Sequence, residues 1–291
     1  MPIVRLIADP AVLETLRDAP PRWLIDEGVA FSVQQIGGEL FELDWPSANT
    51  IALDRVLGEL LRPDAALISD QGFVIPRLFV SDMDSTMIGQ ECIDELADFA
   101  NIKHQIAAIT ERAMQGELDF ESALRERVML LRDLSEGAIL ECLNTRIEPM
   151  PGAATLVATL KAHGCRTVLV TGGFHQFADP VAELLGFDRV VGNRLAIEDG
   201  ALTGGLVGPI ADSSVKRSVL LEESAALGDD VITLATGDGA NDIPMLEAAT
   251  YGIAYHAKAR ARAAANGWID RGDLTAVLKL LGIPERDWVR G

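Results

Sequence analysis

The stretch Arg77 to Thr86, RLFVSDMDST, decides the fold: an apolar run leads straight into two aspartates spaced i, i+2. A short apolar run of this kind reads as a buried strand. In extended backbone alternate side chains share a face, so Asp82 and Asp84 reach one small site at the strand's end. One carboxylate can attack an electrophile while the other handles protons.

An Asp-x-Asp pair alone says little in a chain with 44 acidic residues. Three further segments follow in order: Thr171-Gly172-Gly173 after TVLV, Lys216 in SSVKRS, and GDGANDIPML from Gly237 after VITLAT. All but Lys216 fall where an apolar strand passes into a loop or helix, which is where open α/β sheets build their sites.

From Arg77 onward the pattern runs strand, long helical stretch, strand, helix, two or three short strands, helix, strand, helix, strand and helix. That alternation predicts a parallel sheet with helices on both faces. Between Ile88 and Glu148 the pattern is helical almost throughout, with Ile93, Leu96 and Ala97 on one stripe. No crossover helix needs that length. The segment reads as a helical cap over the carboxyl end of the sheet, able to close on a substrate and exclude water.

Before Arg77, the segments PIVRLIAD, AVLETLRDA, GVAFSVQQ, LFELDW, ANTIALDRVLGELLR and AALIS give the order β-α-β-β-α-β, which suits a small α+β sandwich. The expected domains are therefore 1–75 and 76–291, the second divided into a core (76–87 and 149–291) and a cap (88–148).

A formal charge of −19, from 25 basic and 44 acidic residues, repels nucleic acid and anionic membrane surfaces. Cys92, Cys142 and Cys165 show neither disulfide nor zinc spacing and read as buried thiols, and the four scattered histidines form no metal pair. There is no signal core and no apolar run long enough to cross a bilayer, so a cytoplasmic location is expected.

With these motifs the chain resembles the haloacid dehalogenase-like (HAD) phosphohydrolases. Within that family, Glu91 in IGQECIDELA, Arg127 in DFESALRERVMLL and the segment GNRLAIEDGALTG resemble the phosphoserine phosphatases. The resemblance implies an α/β fold with a Rossmann-like parallel-sheet core and a helical cap. The N-terminal segment resembles the ACT-like, ferredoxin-like domain that precedes some members. A packing or dimerisation role is expected for it, which would give a homodimer; a regulatory amino-acid site is the sharper alternative.

The implied reaction is magnesium-dependent hydrolysis of O-phospho-L-serine, the last step of serine biosynthesis. Asp82 is the implied nucleophile and Asp84 the proton donor and acceptor. Asp82, the main-chain carbonyl of Asp84 and Asp238 are the implied metal ligands, with Asp242 supporting them from behind. Thr171, Gly172, Lys216 and Asn241 are implied at the phosphate. By residue type alone Glu91 and Arg127 read as solvated helix residues, whereas the resemblance assigns them the substrate's ammonium and carboxylate. Arg127 can grip a carboxylate bidentately, as a lysine cannot. Phe120 and Met114 would supply apolar walls. Many relatives have serine where this chain has Thr171, which keeps the hydroxyl and adds a methyl group.

Three other functions fit parts of this pattern. One is a phosphatase or phosphotransferase of the same fold acting on another small metabolite, against which Glu91 and Arg127 argue. A receiver-type phosphoacceptor would share the acids, the threonine and the lysine but needs neither Asp84 nor a cap. An amino-acid sensor would need a ligand constellation in residues 1–75, and the sequence shows none.

Overall fold

The computed structural model of the chain describes residues 2–18, 21–26, 31–45, 50–115 and 117–291. Ala19, Gly28 to Ala30, Ala48 and Asn49, which belong to the expected N-terminal elements, lie outside them.

The strands are β1 (Ile3–Ile7), β2 (Ser32–Gly37), β3 (Leu40–Asp44), β4 (Ala65–Ser69), β5 (Leu78–Ser81), β6 (Arg166–Phe174), β7 (Arg189–Asn193), β8 (Leu195–Glu198), β9 (Ala201–Leu206), β10 (Thr233–Gly237), β11 (Tyr251–Tyr255) and β12 (Gly267–Ile269). Ten of them form one sheet in the order β2-β3-β1-β4-β12-β11-β10-β5-β6-β7, and β8 and β9 form a separate hairpin.

From β12 to β7 every pairing is parallel. These strands read as unbroken apolar runs because helices cover both faces: every residue of β5, β10 and β11 is buried. The helices Ala153–Ala162, His175–Leu185 and Thr275–Leu280 contribute to one core, and Ser213–Leu227, Ile243–Ala248 and Ala259–Ala264 to another. The chain order reverses between β5 and β10. A crevice opens outside the carboxyl ends of strands at such a reversal, and the aspartates follow β5 directly.

The sequence pattern stops one strand and one helix short of the observed order. The strand β12 is three residues, GWI, too short to show a period, and the helix Thr275–Leu280 follows it.

The segment between β5 and β6 contains the helices Cys92–Phe99, Lys103–Met114, Phe120–Leu130 and Glu136–Arg146, followed by Ala153–Ala162. Asp119 caps the third by accepting from the Ser122 amide at 2.7 Å, and Ser135 caps the fourth by accepting from Ala138 at 3.3 Å. Arg146 ties the fourth helix to the first through Asp98 at 2.6 Å and Glu95 at 3.2 Å. The β8-β9 hairpin supports this layer from the side. Gly204, at φ +78°, brings its backbone to Met129 and Arg132, where a Cβ would lie 3.1 Å from each.

In the N-terminal part, β1 pairs antiparallel with both β3 and β4, and β2 lies outside β3. The expected β-α-β-β-α-β order is present, with an added short helix Arg22–Asp26 and a second helix that widens into a π-turn over Val56–Leu61. Strand β4 also pairs antiparallel with β12, from Leu67 opposite Gly267 to Ala65 opposite Ile269. Trp268 and Ala254 pack into the N-terminal core beside Trp45 and Leu57. Among the described residues no helix is long and apolar enough to cross a membrane.

Candidate active site

Asp82 continues the β5 ladder by one bond, its amide donating to Thr236 of β10 at 3.0 Å. Ser81, fully buried, donates to the Asp82 carbonyl at 2.7 Å and lies 2.8 Å from the Thr236 hydroxyl. The backbone under the first aspartate is therefore fixed from two strands.

The Asp82 carboxylate accepts from its neighbour Met83 at 2.8 Å and pairs with Lys216 Nζ at 2.7 Å. Lys216 comes from the helix Ser213–Leu227, whose start is capped by Asp212 accepting from Ser214 at 2.9 Å. Its ammonium also meets Asp242 at 2.6 Å, and only 2 % of the side chain is exposed. The two carboxylates hold Lys216 charged, well above the ordinary lysine range, against the desolvation that opposes charge.

Asp242 spends both oxygens on the protein. One takes Lys216, and the other accepts from the amides of Asp238 at 3.1 Å and Gly239 at 2.9 Å. Gly237 makes this close approach feasible, because a Cβ there would collide with the Asp242 carboxylate.

Asp84 lies across the crevice. One oxygen accepts from the Cys92 amide, at the start of the first cap helix, at 3.1 Å; the other is 3.4 Å from the Thr171 hydroxyl. Desolvation raises the Asp84 pKa to about 6, the Glu91 carboxylate adds to the rise, and the Cys92 hydrogen bond opposes it. Thr171 accepts from Gly173 at 2.8 Å, and a Cβ on Gly173 would press to 3.0 Å of Asp84.

Asp82, Asp84, Glu91, Arg127, Thr171, Gly172, Asp238 and Asn241 all line one cavity of about 190 Å³. Lys216 and Asp242 are buried behind its wall. Phe120 and Ile93 also line it, and Phe120 lies 3.5 Å from where a Gly172 Cβ would stand. The Met114 side chain lies outside the described residues. None of the four histidines or three cysteines lines the cavity.

Asp82, Asp238 and Asp242 each offer an oxygen within 4.8 Å of the others. Burial, followed by repulsion from Asp242, raises the proton affinity of both Asp82 and Asp238, with Lys216 among the groups opposing it. The site is short of positive charge, and its donors are carboxylate oxygens. That combination fits a hard divalent cation. Because Asp242 is already saturated, Asp82 and Asp238 are the carboxylates left to hold it.

Four residues act here that sequence patterning did not single out for a role. Ser85, in the left-handed region at φ 55°, donates to Glu91 at 2.9 Å. Asn193 is buried, donates to the Gly172 carbonyl at 2.8 Å and accepts from Ala211 at 2.8 Å, so it braces the end of β6 beside Thr171. Gly192 accommodates the extra methyl of Thr171, since a Cβ there would come within 3.1 Å of Thr171 Cγ2. Lys258 stands at the cavity mouth. Ser85 lies in the opening stretch Arg77 to Thr86, and Gly192 and Asn193 in the quoted segment GNRLAIEDGALTG, but neither segment signals these roles; Lys258 lies in no quoted segment.

A sequence profile described as haloacid dehalogenase-like hydrolase matches residues 79–247, and a second with the same description matches 220–281. A phosphoserine phosphatase of Albidiferax ferrireducens is 45% identical over 222 residues, covering 72% of this chain and 94% of that protein. Among solved structures, a HAD family hydrolase from Salmonella enterica serovar Typhi superposes with a TM-score of 0.83 at 28% identity, over 97% of this chain and 99% of that one. A probable phosphoserine phosphatase from Vibrio cholerae superposes with a TM-score of 0.75 at 33% identity, over 98% of this chain and 87% of that one.

Proposed function

The chain belongs to the haloacid dehalogenase-like hydrolases, and from that premise we infer that it is a phosphoserine phosphatase, hydrolysing O-phospho-L-serine to L-serine and phosphate. The observation that carries the substrate is that Glu91 and Arg127 line the same small cavity as Asp82 and Asp84. Phosphoserine carries an ammonium and a carboxylate on one carbon, and this pair supplies a complementary charge for each.

In our reading Asp82 attacks the phosphorus in line, forming an aspartyl phosphate as the bond to the serine oxygen breaks. Asp84, protonated, gives its proton to that departing oxygen. The same carboxylate then takes a proton from the water that attacks the aspartyl phosphate, releasing inorganic phosphate and restoring both residues. A pKa near 6 lets Asp84 serve in both directions close to neutral pH. Thr171 and the Gly172 amide face the transferring oxygens, Asn241 donates beside them, and Lys216 holds Asp82 in place while offsetting its charge.

Magnesium is the cation this donor set suits, held by Asp82, Asp238 and the Asp84 carbonyl; it would offset the clustered carboxylates and the charge on the phosphoryl group. Asp242 would act from behind, fixing the Asp238 loop. The helices over 92–146 serve as the cap that encloses the substrate. Turnover of phosphoserine would serve the last step of serine biosynthesis; a cytoplasmic location and a homodimer, with residues 1–75 as the packing or dimerisation domain, are proposed alongside it.

The test is phosphate release from L-phosphoserine with and without magnesium, beside p-nitrophenyl phosphate. Strong metal-dependent preference for phosphoserine, lost in Asp82→Asn together with phosphoenzyme formation, is expected. In Arg127→Ala the KM for phosphoserine should rise while the aryl phosphate is spared. Equal losses on both esters would remove Arg127 from the substrate pocket, and no turnover of any ester would favour a phosphoacceptor.

A further inference from the structure

The cavity poses an electrostatic problem for an anionic substrate. Its lining includes four carboxylates, Asp82, Asp84, Glu91 and Asp238, on a chain of formal charge −19, yet the proposed substrate is an anion. Two cations line it, Arg127 and Lys258. Lys216 is behind the wall, fully engaged by Asp82 and Asp242. Arg127, on the cap helix Phe120–Leu130, is half-buried, its Nε donating to the Ala123 carbonyl at 3.3 Å.

Lys258 differs from both. Its side chain is 77 % exposed, and its ammonium stands 3.8 Å from Asp238, too far for a hydrogen bond. The root of the residue is fixed, because its amide donates to the Asp238 carbonyl at 2.9 Å. The turn that delivers it is also held: His256 sits in the left-handed region at φ 43°, its amide donates to Ile269 at 2.9 Å, and its ring lies 2.9 Å from the Gly272 carbonyl. A pinned root and an exposed tip, in only a long ion pair with Asp238, put one solvent-facing positive charge at the mouth of an acidic pocket.

We propose that Lys258 is the capture residue of this site, drawing the phosphate dianion past the carboxylates at the entrance. The proposal rests on the phosphatase reading above. A local cation at the mouth of a cleft raises the encounter rate of an anion, and the gain fades as salt screens it. Lys258 thus acts on kcat/KM and has little part in the covalent steps.

The test compares Lys258→Ala, Lys258→Glu and Lys258→Arg with the unaltered protein, each at saturating magnesium, from about 20 mM to about 300 mM ionic strength. At low salt kcat/KM for phosphoserine should fall about 3- to 10-fold in K258A and about 10- to 30-fold in K258E, with kcat within about two-fold. K258R should restore it, and the gap between K258E and the unaltered protein should shrink as salt rises. An active unaltered protein with unchanged kcat/KM in K258E, a gap indifferent to salt, or a loss confined to kcat would each overturn the proposal. An unaltered protein inactive on every phosphate ester would instead sink the phosphatase reading, and this inference with it.

Discussion

The Ser85 hydroxyl donates to Glu91 Oε1 at 2.9 Å, so the loop carrying Asp82 and Asp84 also orients the carboxylate at the start of the cap. The proposed recognition residue and the proposed catalytic aspartates are thereby linked within ten residues of chain. Ser85→Ala should raise the KM for phosphoserine by about 3- to 10-fold, the equivalent of one ordinary solvent-exposed hydrogen bond of about 1 kcal/mol, and leave p-nitrophenyl phosphate turnover nearly unchanged. Equal losses on the two esters would mean that Ser85 supports the aspartate loop as a whole.

Lys216 neutralises two buried carboxylates at once. Lys216→Met removes that charge while keeping an apolar stem. It should abolish turnover and lower stability by about 3–5 kcal/mol, because Asp82 and Asp242 are left buried without a partner. Urea unfolding of the metal-free protein measures this; a loss under about 1 kcal/mol would show that water or protons replace the ammonium cheaply.

Thr171 and Gly192 form a size-matched pair, the threonine methyl lying 3.1 Å from where a Gly192 Cβ would stand. Gly192→Ala should cut kcat by displacing the Thr171 hydroxyl. Adding Thr171→Ser should recover much of the loss, since serine keeps the donor and lacks the methyl. A double variant no better than G192A would place the clash on the Gly173 backbone instead, where the same Cβ comes within 3.3 Å of the carbonyl.

Away from the site, Glu223 joins the helix Ser213–Leu227 to two strands, pairing with Arg166 of β6 and with Arg189 of β7 at 2.5 Å. The Arg166 hydrogen bond, the Arg189 hydrogen bond and the charges of both hold the Glu223 pKa below its ordinary value of 4.5. A depressed acid pKa stabilises the folded state above the ordinary value, and that contribution disappears as pH falls through the folded one. Glu223→Gln should therefore cost about 1–2 kcal/mol at neutral pH, discounted for the partly exposed arginines, with the gap closing in acid. Urea midpoints at the two pH values decide it; a gap independent of pH would assign the loss to packing.

What could be read from sequence follows from how each feature is encoded. β5, β10 and β11 announce themselves because strands buried on both faces are continuous apolar runs, and Asp82 and Asp238 follow β5 and β10 directly, whereas Thr171 lies inside β6, just past Val170 where its pairing with β7 becomes irregular. The cap was legible as a helical stretch too long for a crossover. The strand β12 was not, since three residues carry no period. Ser85, Asn193 and Lys258 meet partners that local pattern does not reveal: Asn193 reaches a carbonyl 21 residues back in the chain. Resemblance located Glu91 and Arg127, which local pattern treats as surface residues.

The antiparallel seam between β4 and β12 gives the N-terminal segment a duty independent of any ligand. A sheet edge left bare offers a row of unpaired amides and carbonyls to any extended chain nearby. Here β4 occupies the outer side of β12, and the line of strands ends instead at β2, where five of six residues are exposed. Cutting the chain before Arg77 would strip that cover, turning Gly267–Ile269 and the apolar side of Trp268 into a template for self-association. The N-terminal segment therefore moves the open edge of the sheet from the apolar β12 to the largely polar, exposed β2.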